Sequence, residues 1–195
     1  MLGASRPVVR DALAWLREDG IVTSRKGSGT YVHRLPPRQE VLKPLMSLAD
    51  TRQCLEFRLA IEAETAYLAA RDGSTASHVA INRVLSKLEH SLKRNRLAID
   101  LDFDFHAVIA RASGNAYLVN ALTAAKVSIT DGMSVIRTTS LRDPAARLRI
   151  VHQQHCAVVN AILARQPENA KEAMRAHLTH VLVETMHGTS RPPKR

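Results

Sequence analysis

Apolar residues recur along this chain in two different rhythms. From Ser5 to about Arg34 the rhythm is short and broken. In "SRPVVRDALAWLRED" the residues Val9, Leu13 and Leu16 fall on one face of a predicted helix, with Trp15 at its edge and Ser5 placed to cap the start. Two β-prone runs follow, over 21–23 and 30–32, and the glycines of "RKGSG" between them predict a small hairpin. The stretch "LPPRQ" carries Pro36 and Pro37, which neither a helix nor a sheet interior accommodates, and predicts a linker over 35–44. From about Leu45 to His187 the period is helical throughout.

Six helices are predicted in that second part. The first runs over 49–71 into the breaker "DGS", and the second over 74–94. The third, over 99–112, stops at Gly114, a suitable residue for a left-handed helix end. The fourth covers 116–137. Asp143 and Pro144 read as an N-cap and first helical residue of the fifth, which reaches Arg165, and Gln166-Pro167 restarts the chain into the sixth. Asn115 reads simply as a start for the fourth helix. Short connections between long helices imply antiparallel neighbours. The expected fold is mainly α: a partial winged helix-turn-helix over 1–34, an antiparallel all-helical bundle over 45–187, and a basic tail over 188–195.

Composition narrows the classes. The 195 residues are 45% hydrophobic and 24% charged, a balance that fits a globular chain and not a disordered one. Aromatic residues make up only 4%, and Ala, Leu and Val dominate, which argues against a β-sandwich. No apolar run has the length of a membrane span, and "MLGASRPVVRD" lacks the apolar core of a signal peptide, so the expectation is a cytoplasmic protein without a membrane partner. Cys54 and Cys156 are isolated in sequence and read as small buried apolar residues. A net charge of +10 favours an anionic partner, with nucleic acid, an anionic membrane surface and small acids all left open.

On the first helix Arg6 and Arg10 are four residues apart and share a face. A guanidinium entering the DNA major groove can pair bidentately with guanine, while Arg25 and Lys26 at a hairpin tip can meet phosphate and Gly27 lets the backbone approach. An amphipathic helix with solvated arginines beside an ordinary hairpin explains the same residues taken one at a time. Taken in order, "LGASRPVVRDALAWLREDGIVTSRKGSGTYV" resembles the second half of a GntR-family winged helix-turn-helix over about thirty consecutive residues. The resemblance implies operator binding through Ser5, Arg6, Pro7 and Arg10 on the recognition helix and through Lys26 and Gly27 at the wing tip. Pro7 departs from the small polar residue often found at its position. The family also places a helix and most of a second one before this element. The apolar face of Leu13, Trp15 and Leu16 is therefore expected to be exposed or covered by a neighbouring chain.

In "LDFDFHAVIARASGN" Asp102 and His106 lie one helical turn apart. His152 and His155 are three apart on the fifth predicted helix, as are His177 and His180 on the sixth. One histidine from each with Asp102 and His106 makes a donor set suited to Zn, Ni, Mn or a similar divalent ion, although single helical histidines are more often surface or hydrogen-bonded core residues. "EFRLAIEAETAYLAA", "DFDFHAVIARASGN", "HCAVVNAI" and "AMRAHL" are similar, in order, to the signatures of the FCD domain, the effector-binding bundle of FadR-like GntR regulators. That resemblance implies a divalent metal ion held by Asp102, His106, His155 and His177, with His152 and His180 one turn away as outer or surface residues. It also implies a small organic acid as effector. Arg58 matches a position near the pocket and can bind a carboxylate bidentately, or simply pair with Glu62 four residues on.

The function implied is a ligand-responsive transcription regulator, working as a homodimer on a palindromic double-stranded DNA operator, with repression the family habit. Two rivals remain open at this level. One is an effector-binding and dimerisation module without DNA affinity. The other is a metal-dependent hydrolase, disfavoured because the chain has no HExxH or nucleophile elbow and a helix turns Asp104 away from Asp102.

Overall fold

The structure, a computed structural model, describes residues 5–18, 22–25, 27–32, 47–93, 98–139 and 144–188. It divides into two compact units, Met1–Glu40 and Val41–Arg195.

In the first unit, α1 (Arg6–Glu18) opens with the Val9 N–H bonded to the Ser5 carbonyl. It packs on β1 (Val22–Arg25), which pairs antiparallel with β2 (Gly29–Val32) in the register Val22↔Val32 to Arg25↔Gly29. The strands thus extend closer to the turn than the periodicity predicts, and Ile21 lies outside the described residues. The turn tolerates this because Gly27 and Gly29 adopt φ +78° and +106°, the left-handed region that suits a tight hairpin. Val22 is buried, Leu13 and Leu16 are half-buried, and Trp15 is 74% exposed. Val9, predicted on the apolar stripe, is exposed.

The second unit is a bundle of seven described helices. Ser47 caps α2 (Leu48–Asp72) by accepting from the Asp50 N–H. Then follow α3 (Thr75–Lys93), α4 (Ile99–Ala112), α5 (Ala116–Ala124), α6 (Lys126–Thr139), α7 (Pro144–Leu163) and α8 (Pro167–Gly188). The helix predicted over 116–137 is therefore two, parted at the fully buried Ala125. Alanine gives no warning of a break. Two residues earlier the Thr123 hydroxyl donates to the Val119 carbonyl at 2.7 Å, a bond that helices tolerate elsewhere in this bundle, at Ser86 and Thr185. Asp143, predicted as the α7 cap, lies outside the described residues. Asn115 caps α5, its Oδ1 accepting from the Tyr117 and Leu118 N–H groups.

Packing follows side-chain size. Ala63, Ala66 and Ala70 put a smooth stripe along α2, and α8 lies closely against it with Ala170, Met174 and Leu178 buried. Lys171 of α8 reaches Glu64 of α2 at 3.0 Å, and Arg147 of α7 meets Glu184 of α8 at 2.8 Å. The central helix is α4. Phe105, Val108 and Ile109 join the main core with α2, α3, α7 and α8, while Phe103, Ala107 and Ala110 join a second cluster with Leu122 and Ile129 of α5 and α6. Cys54 and Cys156 are half-buried, not fully enclosed; Cys54 lies against that second cluster because it stands at the rim of α2.

Two helix ends show how turn chemistry sets the connections. α4 ends at Ser113 with Gly114 at φ +68°. α7 ends with Arg165 at φ +53°, its N–H bonded to Ile162 O while the Gln166 N–H bonds Ala161 O, a Schellman closure. An arginine there bears strain that glycine would not. It also spans to the end of α2, donating to Gly73 O at 3.0 Å, which glycine cannot do. At Gly114 a Cβ would meet nothing within 4 Å, so strain alone would penalise it. Gly114→Ala is expected to destabilise the chain by about 1–2 kcal/mol in urea unfolding. An unchanged midpoint would show that this connection does not require the left-handed conformation.

Candidate metal centre and nucleic-acid surface

Because α4 is buried on nearly every side, its polar residues must find partners inside the bundle. His106 is 1% exposed. His155 of α7 and His177 of α8, likewise buried, are brought to it, and one ring nitrogen from each of the three lies within 4.8 Å of the others. The rings meet edge to face or stacked, with centroids 4.6 Å apart for His155 and His177 and 5.4 Å for His106 and His177. Asp102, one turn before His106, has its carboxylate oxygens 3.7 Å from His106 Nε2 and 3.6 Å from His155 Nε2. Those distances are too long for hydrogen bonds and leave both nitrogens buried without a partner.

The other ring atoms are supported from outside. His106 Nδ1 lies 2.5 Å from Glu62 Oε2, in contact but without the alignment of a full hydrogen bond. His177 Nδ1 stands 3.0 Å from Gln154 Oε1; an amide oxygen only accepts, so Nδ1 carries the proton and Nε2 keeps its lone pair. Burial pushes His155 down to about 3, although Asp102 acts in the opposite direction. Burial also holds His177 well below the usual imidazole range, helped by the neighbouring His155 and His106. These two are neutral bases at neutral pH.

Glu62 joins this cluster to α2. Burial alone would raise its carboxyl, but Arg58 and His106 outweigh it and hold it at about 2. Arg58, 3% exposed, donates from Nε to Glu62 Oε1 at 2.5 Å. It also borders a cleft of about 200 Å³ with Thr51, Cys54, Ile129 and Met133. A larger cleft of about 350 Å³, open to solvent between α3, α4 and α7, reaches Asp102 and His155. His152 stands in it, its Nε2 3.6 Å from Cys156 Sγ. His180 points to Glu184 at 3.5 Å. Asp104 is exposed on the far side of α4.

Three buried imidazoles, two of them with an Nε2 that has no partner, and one carboxylate beside them form a donor set that fits a divalent ion of the Zn, Ni or Mn type. The sequence reading missed Glu62 as a partner of His106 and missed Gln154 altogether. The i,i+4 spacing relates Glu62 only to Arg58, and nothing local relates it to a histidine on another helix.

Of the residues considered for DNA, Ser5 is exposed just before α1, Pro7 and Arg10 are exposed on it, and Arg6 begins that helix one turn before Arg10. Gly27 is exposed at the hairpin turn, and Lys26 lies outside the described residues.

Residues 53–180 match the FCD domain family, and residues 1–32 match the gntR family of bacterial regulatory proteins. The HTH-type transcriptional regulator LutR of Bacillus subtilis is 30% identical, over 91% of this chain and 83% of its own. The Glc operon transcriptional activator of Escherichia coli is 33% identical, over 92% and 74%. Among solved structures, a GntR protein of Streptococcus agalactiae aligns with a TM-score of 0.64 at 22% identity, covering 93% of this chain and 83% of that one. A metal-free FCD domain aligns at 0.53 and 24% identity, covering 74% and 96%.

The buried groups set a pH dependence. His155 titrates near 3 when folded against an ordinary 6.5, so the unfolded chain takes up that proton first as pH falls. Stability is then full above pH 6.5 and is lost toward pH 3. Glu62, at about 2 against 4.5, adds a loss of the same sign below pH 4.5. In chelator-washed protein the urea midpoint is expected to be flat above pH 6.5 and to decline below it, less steeply in His155→Phe. A midpoint constant from pH 7 to 4 would contradict a neutral, buried His155.

Proposed function

The chain belongs to the GntR family of bacterial regulatory proteins and carries an FCD domain, and from that premise we propose that it is a cytoplasmic, homodimeric repressor whose affinity for operator DNA is set by a small organic acid bound at a metal centre. The family is one of transcriptional regulators, and the chain is a regulator, not an enzyme. Among the described residues no helix is long and apolar enough to cross a membrane. In this reading residues 1–34 bind DNA, 35–44 link the two parts and 45–187 bind the effector and dimerise.

The observation that carries the metal reading is the pair of buried, unpartnered Nε2 atoms of His106 and His155 beside Asp102 and His177. A buried polar atom without a partner costs about 1–3 kcal/mol, and two facing one spot favour a shared ligand. Asp102, His106, His155 and His177 would hold the ion. A divalent ion bound there supplies a Lewis-acidic anchor for a carboxylate. Glu62 keeps the His106 ring turned toward the centre, and Gln154 does so for His177. The charge of Arg58, felt at Asp102, His155 and His177, favours an anion near the centre. Direct contact of Arg58 with the effector requires its exchange away from Glu62.

On DNA, Ser5, Arg6, Pro7 and Arg10 face the major groove and Lys26 and Gly27 meet the backbone at the hairpin tip. The effector changes operator affinity only by binding one dimer arrangement better than another; coupling of about 1–3 kcal/mol gives roughly 5–150-fold regulation.

Elemental analysis of protein purified without chelator is expected to find about one divalent ion per chain, and none in His106→Ala. Glu62→Gln is expected to retain the site with about 10–100-fold weaker metal affinity. Full metal content in His106→Ala would overturn the ligand set. For the DNA reading, a duplex enriched from a random-sequence pool is expected to lose about 1–3 kcal/mol of binding in Arg10→Ala and to relax at one base position. Lys26→Ala should instead lower the salt slope by about one. Failure of the chain to enrich any duplex would leave an effector-binding module without DNA affinity.

A further inference from the structure

Most described cations of α2, α7 and α8 are matched with acids: Arg52 with Glu56, Arg71 with Asp72, Arg147 with Glu184, Lys171 with Glu64 and Arg175 with Glu172. On α3 the balance differs. Residues 75–96 hold Arg83, Lys87, Lys93, Arg94 and Arg96 against one acid, Glu89, and Lys93 takes up that acid at 2.9 Å. Arg94 and Arg96 lie outside the described residues. Among the described residues no acid pairs with Arg83 or Lys87. The helical period sorts the chemistry of α3 by face. Ile81 is buried and Val84, Leu85 and Leu88 pack against the core, while Asn82, Arg83, Lys87 and His90 are exposed on the opposite side. Arg83 and Lys87 stand one turn apart, about 6 Å along the axis, and His90 continues the row. The helix dipole accounts for a cation in the last turn, such as Lys93, but not for two in the middle of the helix. Like charges at that spacing repel each other, and a bound polyanion removes the repulsion.

We infer that the outer face of α3 is a sequence-independent surface for double-stranded DNA, in which Arg83 and Lys87 meet backbone phosphates and Asn82 and His90 donate hydrogen bonds to the same backbone. The inference rests on the reading that the chain works on DNA only for the choice of polyanion. The surface belongs to the bundle and needs neither the recognition helix nor the hairpin. Charge complementarity selects the partner: duplex DNA carries one negative charge per about 1.7 Å of axis, so two cations with donors beside them find phosphates at any sequence. All four side chains are exposed, which lets them follow phosphates but does not fix them for reading a base edge. A helix that lies on a membrane surface sets a broad apolar face beside its cations. Here the exposed neighbours are Asn82, Ser86 and His90, and Val79 is the one large apolar side chain exposed among the described residues of α3. Contacts of this kind add affinity at every sequence and let a protein slide along DNA between specific sites.

The test is fluorescence anisotropy of the full chain on a long random-sequence duplex over a series of salt concentrations. The logarithm of affinity falls by about 0.9 per phosphate contact for each tenfold rise in salt. Arg83→Gln and Lys87→Gln are each expected to reduce that slope by about one, and the double variant by about two. Arg52→Gln with Arg175→Gln removes the same net charge elsewhere on the bundle and is expected to leave the slope unchanged. All four positions are exposed on helices, and glutamine is about as good a helix former as arginine or lysine, so the urea midpoint is expected to hold. A variant with Arg6→Ala, Arg10→Ala and Lys26→Ala distinguishes the two DNA surfaces. It is expected to lose preference for the enriched duplex while keeping the slope that depends on α3. Retained preference in that variant overturns the recognition-helix reading and leaves the α3 slope standing. A wild-type slope in the Arg83→Gln, Lys87→Gln double variant overturns the α3 surface. So does an equal reduction in the Arg52→Gln, Arg175→Gln pair, which would be an effect of net charge alone. Failure of the wild type to bind any duplex at low salt overturns both surfaces. Binding to vesicles of phosphatidylserine and phosphatidylcholine that depends on Arg83 and Lys87, at a salt concentration where the duplex is released, overturns DNA as the occupant.

Discussion

An ionised carboxylate inside a helical bundle has to be compensated where it stands, and Glu62 is compensated from two directions at once. Arg58 neutralises it along α2, and His106 meets it from α4. Removing one partner of such a buried pair typically costs about 3–5 kcal/mol, because the survivor remains charged and out of water. The requirement therefore ties the register of α2 to that of α4 far more strictly than their apolar contacts do. The Arg58–Glu62 pair lies within α2, so it is the Glu62–His106 contact that relates the two helices. Once His106 is held by Nδ1, its Nε2 can only face α7 and α8.

The rest of the site depends on how closely those two helices approach. The alanine stripe of α2 lets α8 settle against it, and Lys171 and Glu64 hold that contact at its edge. Arg147 and Glu184 then join α7 to α8. With both helices fixed, His155 and His177 arrive beside His106 as a packing consequence. Phe105, whose ring centroid is 4.2 Å from that of His155, fills the space on the core side and keeps the imidazole from turning away. Arg165 contributes at the far end by bonding the end of α2 from the α7–α8 connection.

How much of this can be read from the chain alone differs by type of interaction. The helical period marks α2, α3, α4, α7 and α8 to within a residue or two at most ends, because those helices bury a stripe and stop at Gly, Pro or a cap residue. It does not mark the break at Ala125, which falls in an otherwise good helical sequence. It reads Val9 as apolar lining where the structure leaves it exposed. The histidines are legible as ligand-type residues through one-turn spacing, and the resemblance of "DFDFHAVIARASGN" and "AMRAHL" to known signatures selects among them. Their convergence is not legible, since it depends on three helices meeting in space. Glu62 was visible only as the helical neighbour of Arg58, and Gln154 not at all, because partners of this kind are related across helices.

Charge arithmetic explains why such a cluster suits a sensor. His155 and His177 are neutral, Glu62 and Arg58 pair with each other, and Asp102 stands as the acidic group beside the histidines. On the reading proposed above, a divalent cation held there would give an anion from solution a positive group to meet. Under that proposal the two ligands would be coupled: the ion would raise the affinity for the acid and, by reciprocity, the acid would strengthen the hold on the ion. A chain that presented a lysine instead would bind acids without that condition. An anion receptor built in the proposed way, from imidazoles and one aspartate, would make the response conditional on metal, with Glu62, set between Arg58 and His106, as its support from α2.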